Sequence, residues 1–159
     1  MLTPEAARPT PPSASAVPGT ASANPFPRAN GELILVADDQ DSVRELLETV
    51  LNDHGYRTVT AVDAADAVAV LSARRSEISA IISDMHMPNT GDEAVADLLR
   101  RVRADVPILF MSGLGSDEDG RELRPANSTD PFLLKPFRPA ALLQAVHRLL
   151  HPARPPQQA

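Results

Sequence analysis

The 159-residue chain contains no cysteine and no tryptophan, and only five aromatic residues in all. The first absence excludes disulfide frameworks, thiolate zinc sites and cysteine nucleophiles, and it fits a reducing, cytoplasmic setting. Five scattered aromatics offer no base-stacking platform, and a net charge of −6 offers no phosphate-neutralising basic surface. No direct nucleic-acid partner is therefore expected. Long apolar runs are missing too: Leu33–Ala37 and Pro107–Met111 span about five residues each, against roughly 20 for a bilayer crossing, so no membrane insertion is expected. The opening MLTPEAARPT has no positive charge before Arg8 and no apolar stretch, which does not support a secretory signal.

What is present is concentrated in the middle of the chain. Residues 1–30 and 151–159 hold ten of the sixteen prolines, so about 120 residues remain to fold, a single domain's length. Pro4, Pro9, Pro11, Pro12, Pro18, Pro25 and Pro27 sit among Ala, Ser and Thr, a composition that buries too little apolar area to offset ordering entropy. The expected organisation is a disordered tail over 1–30, a folded domain over 31–151 and a disordered tail over 152–159.

Within the domain, apolar runs alternate with helical periodicity. Leu33–Ala37 reads as a strand, followed by Val43, Leu46, Leu47, Val50 and Leu51 at helical spacing and by Gly55 where a helix stop belongs. Tyr56–Ala61 and a helix over Ala64–Ala73 capped by Asp63 follow, then Ile78–Ser83 and a helix carrying Val95, Leu98, Leu99 and Val102. The fourth strand is Ile108–Met111. The fifth, Phe132–Leu134, follows Pro131 as an edge strand tolerates, and the last helix starts near Pro139 with Leu142, Leu143, Val146 and Leu150 on its buried face. Ser112–Asp130 has little apolar periodicity, so any helix there is expected to be short. This alternation predicts an α/β, doubly wound parallel sheet covered on both faces.

In such sheets ligands bind beyond the carboxyl ends of the strands. There the chain places Asp38 and Asp39 after strand one, Asp84 after strand three, Ser112 after strand four and Lys135 after strand five. Any one of these aspartates alone would read as a turn former or helix cap. Together, three carboxylates in one crevice repel at about 4 kcal/mol per pair at 4 Å and an effective dielectric near 20, which calls for a cation or a retained proton. A cation is the simpler answer. All-oxygen ligands with room for water and phosphate oxygens suit magnesium, with manganese as a substitute. Lys135 is the only lysine beside fourteen arginines, placed where a compact ammonium could meet a phosphate oxygen, and the Ser112 hydroxyl could hydrogen-bond an anionic oxygen.

The pattern ILVADDQ (34–40), ISDMHMP (82–88), LFMSG (109–113) and FLLKPF (132–137) resembles the receiver domain of two-component response regulators, over about Glu32–Leu150. The resemblance implies a flavodoxin-like five-stranded sheet of order 2-1-3-4-5, with Asp84 as phosphoacceptor. It implies magnesium held by Asp39, Asp84 and the main-chain carbonyl of His86, with Asp38 acting through coordinated water. Lys135 and Ser112 would contact the phosphoryl group, Ser112 and Phe132 would form the switch pair, and the Lys135–Pro136 peptide would be cis. The partners implied are a histidine kinase or histidine phosphotransfer protein and an unknown downstream protein. The domain would not be an enzyme beyond catalysing its own phosphorylation and dephosphorylation.

The chain departs from the common receiver pattern at Gln40, at Gly91 and over 113–131, where the fourth helix is expected to be atypical or short. Ser112-Gly113 is similar to receivers fused to hybrid histidine kinases. The side chain of His86 is expected to face solvent, His54, His147 and His151 to lie near helix ends, and Arg100, Arg101 and Arg103 to line a solvated face, as Asp117–Asp119 lines an exposed loop or helix start. With no DNA-binding or enzymatic region expected after Leu150, the output is a protein contact. The alternatives are a receiver-shaped scaffold that binds its partner without phosphorylation, and a magnesium-dependent phosphohydrolase. The second places its nucleophile after the first strand, unlike Asp84.

Overall fold

The computed structural model describes residues 28–88, 90, 94–113 and 130–153. Its elements are β1 (Leu33–Ala37), α1 (Asp41–Asp53), β2 (Arg57–Ala61), α2 (Ala64–Ala73), β3 (Ile78–Asp84), α3 (Val95–Val102), β4 (Ile108–Ser112), β5 (Phe132–Leu134) and α4 (Pro139–Leu150). The strands form one parallel sheet in the order β2-β1-β3-β4-β5, the flavodoxin-like order the resemblance implied. The expected fourth helix, Gly91, the acidic run 117–119 and most of both expected tails lie outside the described residues.

β1 is apolar throughout, and β3 and β4 are apolar except at Ser79, Ser83, Asp84 and Ser112, because each central strand is covered on both faces. Leu33, Leu35 and Ala37 of β1 join Ile81 of β3 and Ile108 and Phe110 of β4 in a core completed by Ala64, Ala67 and Leu71 of α2 and Val95 and Leu99 of α3. The alternate residues Ile34, Val36, Ala80, Ile82, Leu109 and Met111 face a second core with Leu47 and Leu51 of α1 and Leu142, Leu143 and Val146 of α4. Burying each large aliphatic side chain contributes about 1.5–3 kcal/mol before ordering entropy is subtracted. The edge strand β2 reads Arg-Thr-Val-Thr-Ala and is only partly covered, as its outer position in the sheet permits.

Boundaries differ from expectation where hydrogen bonding decides them. Tyr56 was expected to open β2, yet its N–H closes α1 on the Leu51 carbonyl at 3.1 Å while the Gly55 N–H bonds Asn52 at 3.1 Å. Gly55, at φ +91°, makes this reversal possible, and the strand starts one residue later. On the other side of the turn, Ala29 and Gly31 donate to the His54 and Gly55 carbonyls, both at 3.0 Å. At the opposite end of the sheet, β3 and β4 each run one residue further than expected, since Asp84 pairs with Met111 and Ser112 with Leu134. Two members of the arginine run also differ from a solvated face, while Arg101 is exposed as expected. Arg100 pairs with Asp130 ahead of β5, and Arg103 donates to the carbonyls of Arg75 (3.1 Å) and Ile78, stapling the α2–β3 loop to the end of α3.

Candidate functional site

Parallel pairing of β1 and β3 puts Ala37 opposite Ser83, so Asp38 and Asp84 leave the sheet side by side. Both are buried, Asp38 at 0% and Asp84 at 6% exposure, while Asp39 is exposed. One carboxylate oxygen from each of the three lies within 4.8 Å of the others. From the far side, the Lys135 N–H bonds the Ser112 carbonyl at 2.7 Å, which seats the residue after β5 above the end of β4. Its Nζ then reaches Oδ2 of Asp38 at 2.6 Å and Oδ2 of Asp84 at 3.1 Å. The following Lys135–Pro136 peptide is cis, as the resemblance implied.

Every oxygen of the two buried carboxylates is thereby engaged. Oδ1 of Asp38 accepts from the Gln40 N–H at 2.9 Å, and Oδ1 of Asp84 accepts from the His86 N–H at 3.0 Å. Burial by itself would push the Lys135 ammonium below the usual lysine range. The hydrogen bond to Asp38, the charges of Asp84 and Asp38 and the hydrogen bond to Asp84 outweigh it, and the net shift is upward. The ammonium is thus firmly charged and offsets part of the repulsion among the carboxylates. Their all-oxygen donor set, with one member open to solvent, fits a hard divalent cation better than zinc, which favours thiolate and imidazole ligands.

The remaining expected residues are near but not all in the cluster. Ser112 is buried, and its hydroxyl donates to the Gly113 carbonyl at 3.2 Å instead of to a carboxylate. Phe132 is half-buried, packed against the core of α2 and α3, and the His86 side chain is exposed, as expected. His54 and the pair His147 and His151, whose rings lie 4.7 Å apart, sit at helix ends away from the cluster. Sequence reasoning missed two contributors. The Gln40 main-chain N–H carries no side-chain signature, whereas Arg44 was findable as the first cation after the acidic doublet: its Nη1 donates to the Asp38 carbonyl at 2.6 Å.

The family described as response regulator receiver domain matches residues 34–147, the whole span that builds this rim. The chain belongs to that family. This receiver domain is 34% identical over 124 residues to a probable transcriptional regulator, ycf27, of Cyanophora paradoxa, covering 76% of this chain and 49% of the relative. It is 36% identical over 117 residues to the transcriptional regulatory protein PrrA of Mycobacterium tuberculosis, covering 74% and 49% respectively. The receiver domain thus spans about half the length of these curated relatives. Among solved structures it is similar to the chemotaxis protein CheY4 of Vibrio cholerae, with a TM-score of 0.60, 28% identity and coverage of 76% of this chain and 99% of that one. Among the described residues, no helix of the receiver domain is long and apolar enough to cross a membrane.

Proposed function

We propose that this receiver domain accepts a phosphoryl group on Asp84 from the phosphohistidine of a histidine kinase or histidine phosphotransfer protein in the cytoplasm, and thereby changes a protein-binding surface. The observation that carries the reading is the convergence of Asp38, Asp39 and Asp84 at one end of the sheet, with Lys135 bonded to two of them, Asp38 and Asp84. An Asp84 carboxylate oxygen forms the new P–O bond as the P–N bond of the donor breaks, and the departing imidazole keeps the electron pair and takes up a proton. Little covalent work falls to the protein beyond alignment and charge neutralisation. Asp39, Asp84 and the His86 carbonyl, with Asp38 through water, are the groups that would hold magnesium, or manganese in its place; such an ion supplies neutralisation at the phosphoryl oxygens when bound.

Lys135 serves the other side of the phosphoryl group. Its ammonium, shared in this structure between two buried carboxylates, can transfer one of those hydrogen bonds to a phosphoryl oxygen without leaving its place. The Ser112 hydroxyl, held among the described residues by the adjacent Gly113 carbonyl, can rotate toward the same oxygens, and the half-buried Phe132 can follow into the space it leaves. These two residues are the proposed switch, and the output is a protein contact made either by a stand-alone regulator or by the receiver of a hybrid kinase.

Incubation with acetyl phosphate and magnesium tests the assignment by intact mass. Wild type is expected to gain one phosphoryl group and D84N none, with beryllofluoride shifting the amide resonances of Ser112 and Phe132 only in the wild type. Absence of an adduct and of any shift in the wild type would favour the phosphorylation-independent scaffold; sustained turnover of unrelated phosphate esters would favour a hydrolase.

A further inference from the structure

Of the three carboxylates, two are aimed by hydrogen bonds and one is not. Asp38 has every polar atom held: its N–H donates to Ala61 O at 3.2 Å, Oδ1 accepts from Gln40, Oδ2 from Lys135, and its carbonyl accepts from Arg44. The exposed carboxylate of Asp39 has no hydrogen-bond partner among the described residues, so its direction depends on the backbone that carries it. That backbone is the Asp38–Asp39 peptide, a rigid plane whose oxygen is the atom that Arg44 holds at 2.6 Å.

Arg44 is built for that contact. One side of its guanidinium bonds the Asp38 carbonyl and the other bonds Asp41, its neighbour one turn earlier on α1. The two side chains differ in exposure, 13% for Arg44 against 83% for Asp41. An exposed pair one turn apart contributes little by itself. Here the arginine is the half-buried member, and its second bond goes to the main chain at the mouth of the acidic pocket. The planar fork lets one group satisfy both acceptors at a fixed angle, which an ammonium cannot do.

We propose that Arg44 is a positioning residue for the acidic pocket: by pinning the Asp38 carbonyl it orients Asp39 toward Asp84, and so raises the pocket's affinity for a divalent cation. The inference rests on the cation-assisted reading of the site given above. It makes an unusual demand on sign. Removing a positive charge beside an acidic pocket ordinarily tightens cation binding, because one repulsion is lost. Removing a positioning group loosens it.

Titration of the full chain with magnesium alone, by calorimetry, separates the two. R44M is expected to bind magnesium about 5–10-fold more weakly than wild type. The amide resonances of Asp39 and Gln40 are expected to shift in the metal-free protein, and acetyl phosphate labelling to need more magnesium for half-saturation while losing less at saturation. Equal or tighter magnesium binding by R44M overturns the proposal. Should R44M fail to fold, R44K decides: it keeps the charge but not the fork, and is expected to bind about 2–4-fold more weakly, with equal or tighter binding again overturning the proposal. A wild-type chain that binds no magnesium would remove the cation-assisted reading itself, and this inference with it; normal binding by both wild type and variants would remove only the inference.

Discussion

Lys135 is the residue whose removal should be felt most widely. Two buried carboxylates share its ammonium, so Lys135→Met leaves Asp38 and Asp84 without their cation in a poorly solvated pocket. A loss of about 2–4 kcal/mol in urea unfolding is expected, partly recovered by added magnesium, together with a fall in acetyl phosphate labelling of at least about tenfold. A second residue gives a clean pH signal. Tyr56 is the chain's only tyrosine and there is no tryptophan, so its ionisation can be followed directly by ultraviolet absorbance. Burial, and secondarily the charge of Glu32, push its phenol above the ordinary tyrosine range. The folded protein therefore holds that proton more tightly than the unfolded chain. Its contribution to stability is complete below the unfolded value, near about 10, and is lost as pH rises through the folded value. An absorbance midpoint at or below that of the urea-unfolded chain would contradict this.

At the scale of elements, the turn after α1 and the start of α2 are held by single positions. A Cβ on Gly55 would lie 2.8 Å from the Ala29 carbonyl oxygen, and the φ of +91° suits few side chains. Gly55→Ala is expected to cost about 2 kcal/mol or more, by strain at the turn and by displacing the Ala29 segment. Asp63 caps α2 by accepting from the Asp66 N–H at 2.7 Å, while Asp66 reaches back to the Val62 N–H at 3.1 Å. Asp63→Ala should cost about 1 kcal/mol, read as a lower urea midpoint with unchanged slope. The cap was legible beforehand because an Asp three residues before another acid, at the head of an apolar run, is a local signal. The order of the strands was not legible from local signals and came from the family's motif.

For the whole molecule, a cation that binds only the folded pocket must stabilise the fold. At magnesium about 100-fold above its dissociation constant the gain is about 2.7 kcal/mol, seen as a rising melting temperature, and Asp39→Asn should remove most of that rise. Calcium or magnesium raising the melting temperature of D39N as much as that of wild type would move the binding elsewhere.

The amino-acid sequence by itself determined where the described strands and helices would lie, though not their exact ends, because a twice-covered strand is mostly apolar and a half-covered helix is apolar on one stripe. It also determined which strand ends carry acid, hydroxyl and ammonium. Only the tertiary structure decided that Arg44 grips the Asp38 carbonyl, that Ser112 turns to Gly113 instead of to the carboxylates, and that Arg103 staples the α2–β3 loop to the end of α3. Those are contacts between side chains and main-chain carbonyls. A carbonyl oxygen is common to every residue, so no pattern of residue types announces which one a side chain will meet; that choice is made when the backbone of several elements is brought to one place.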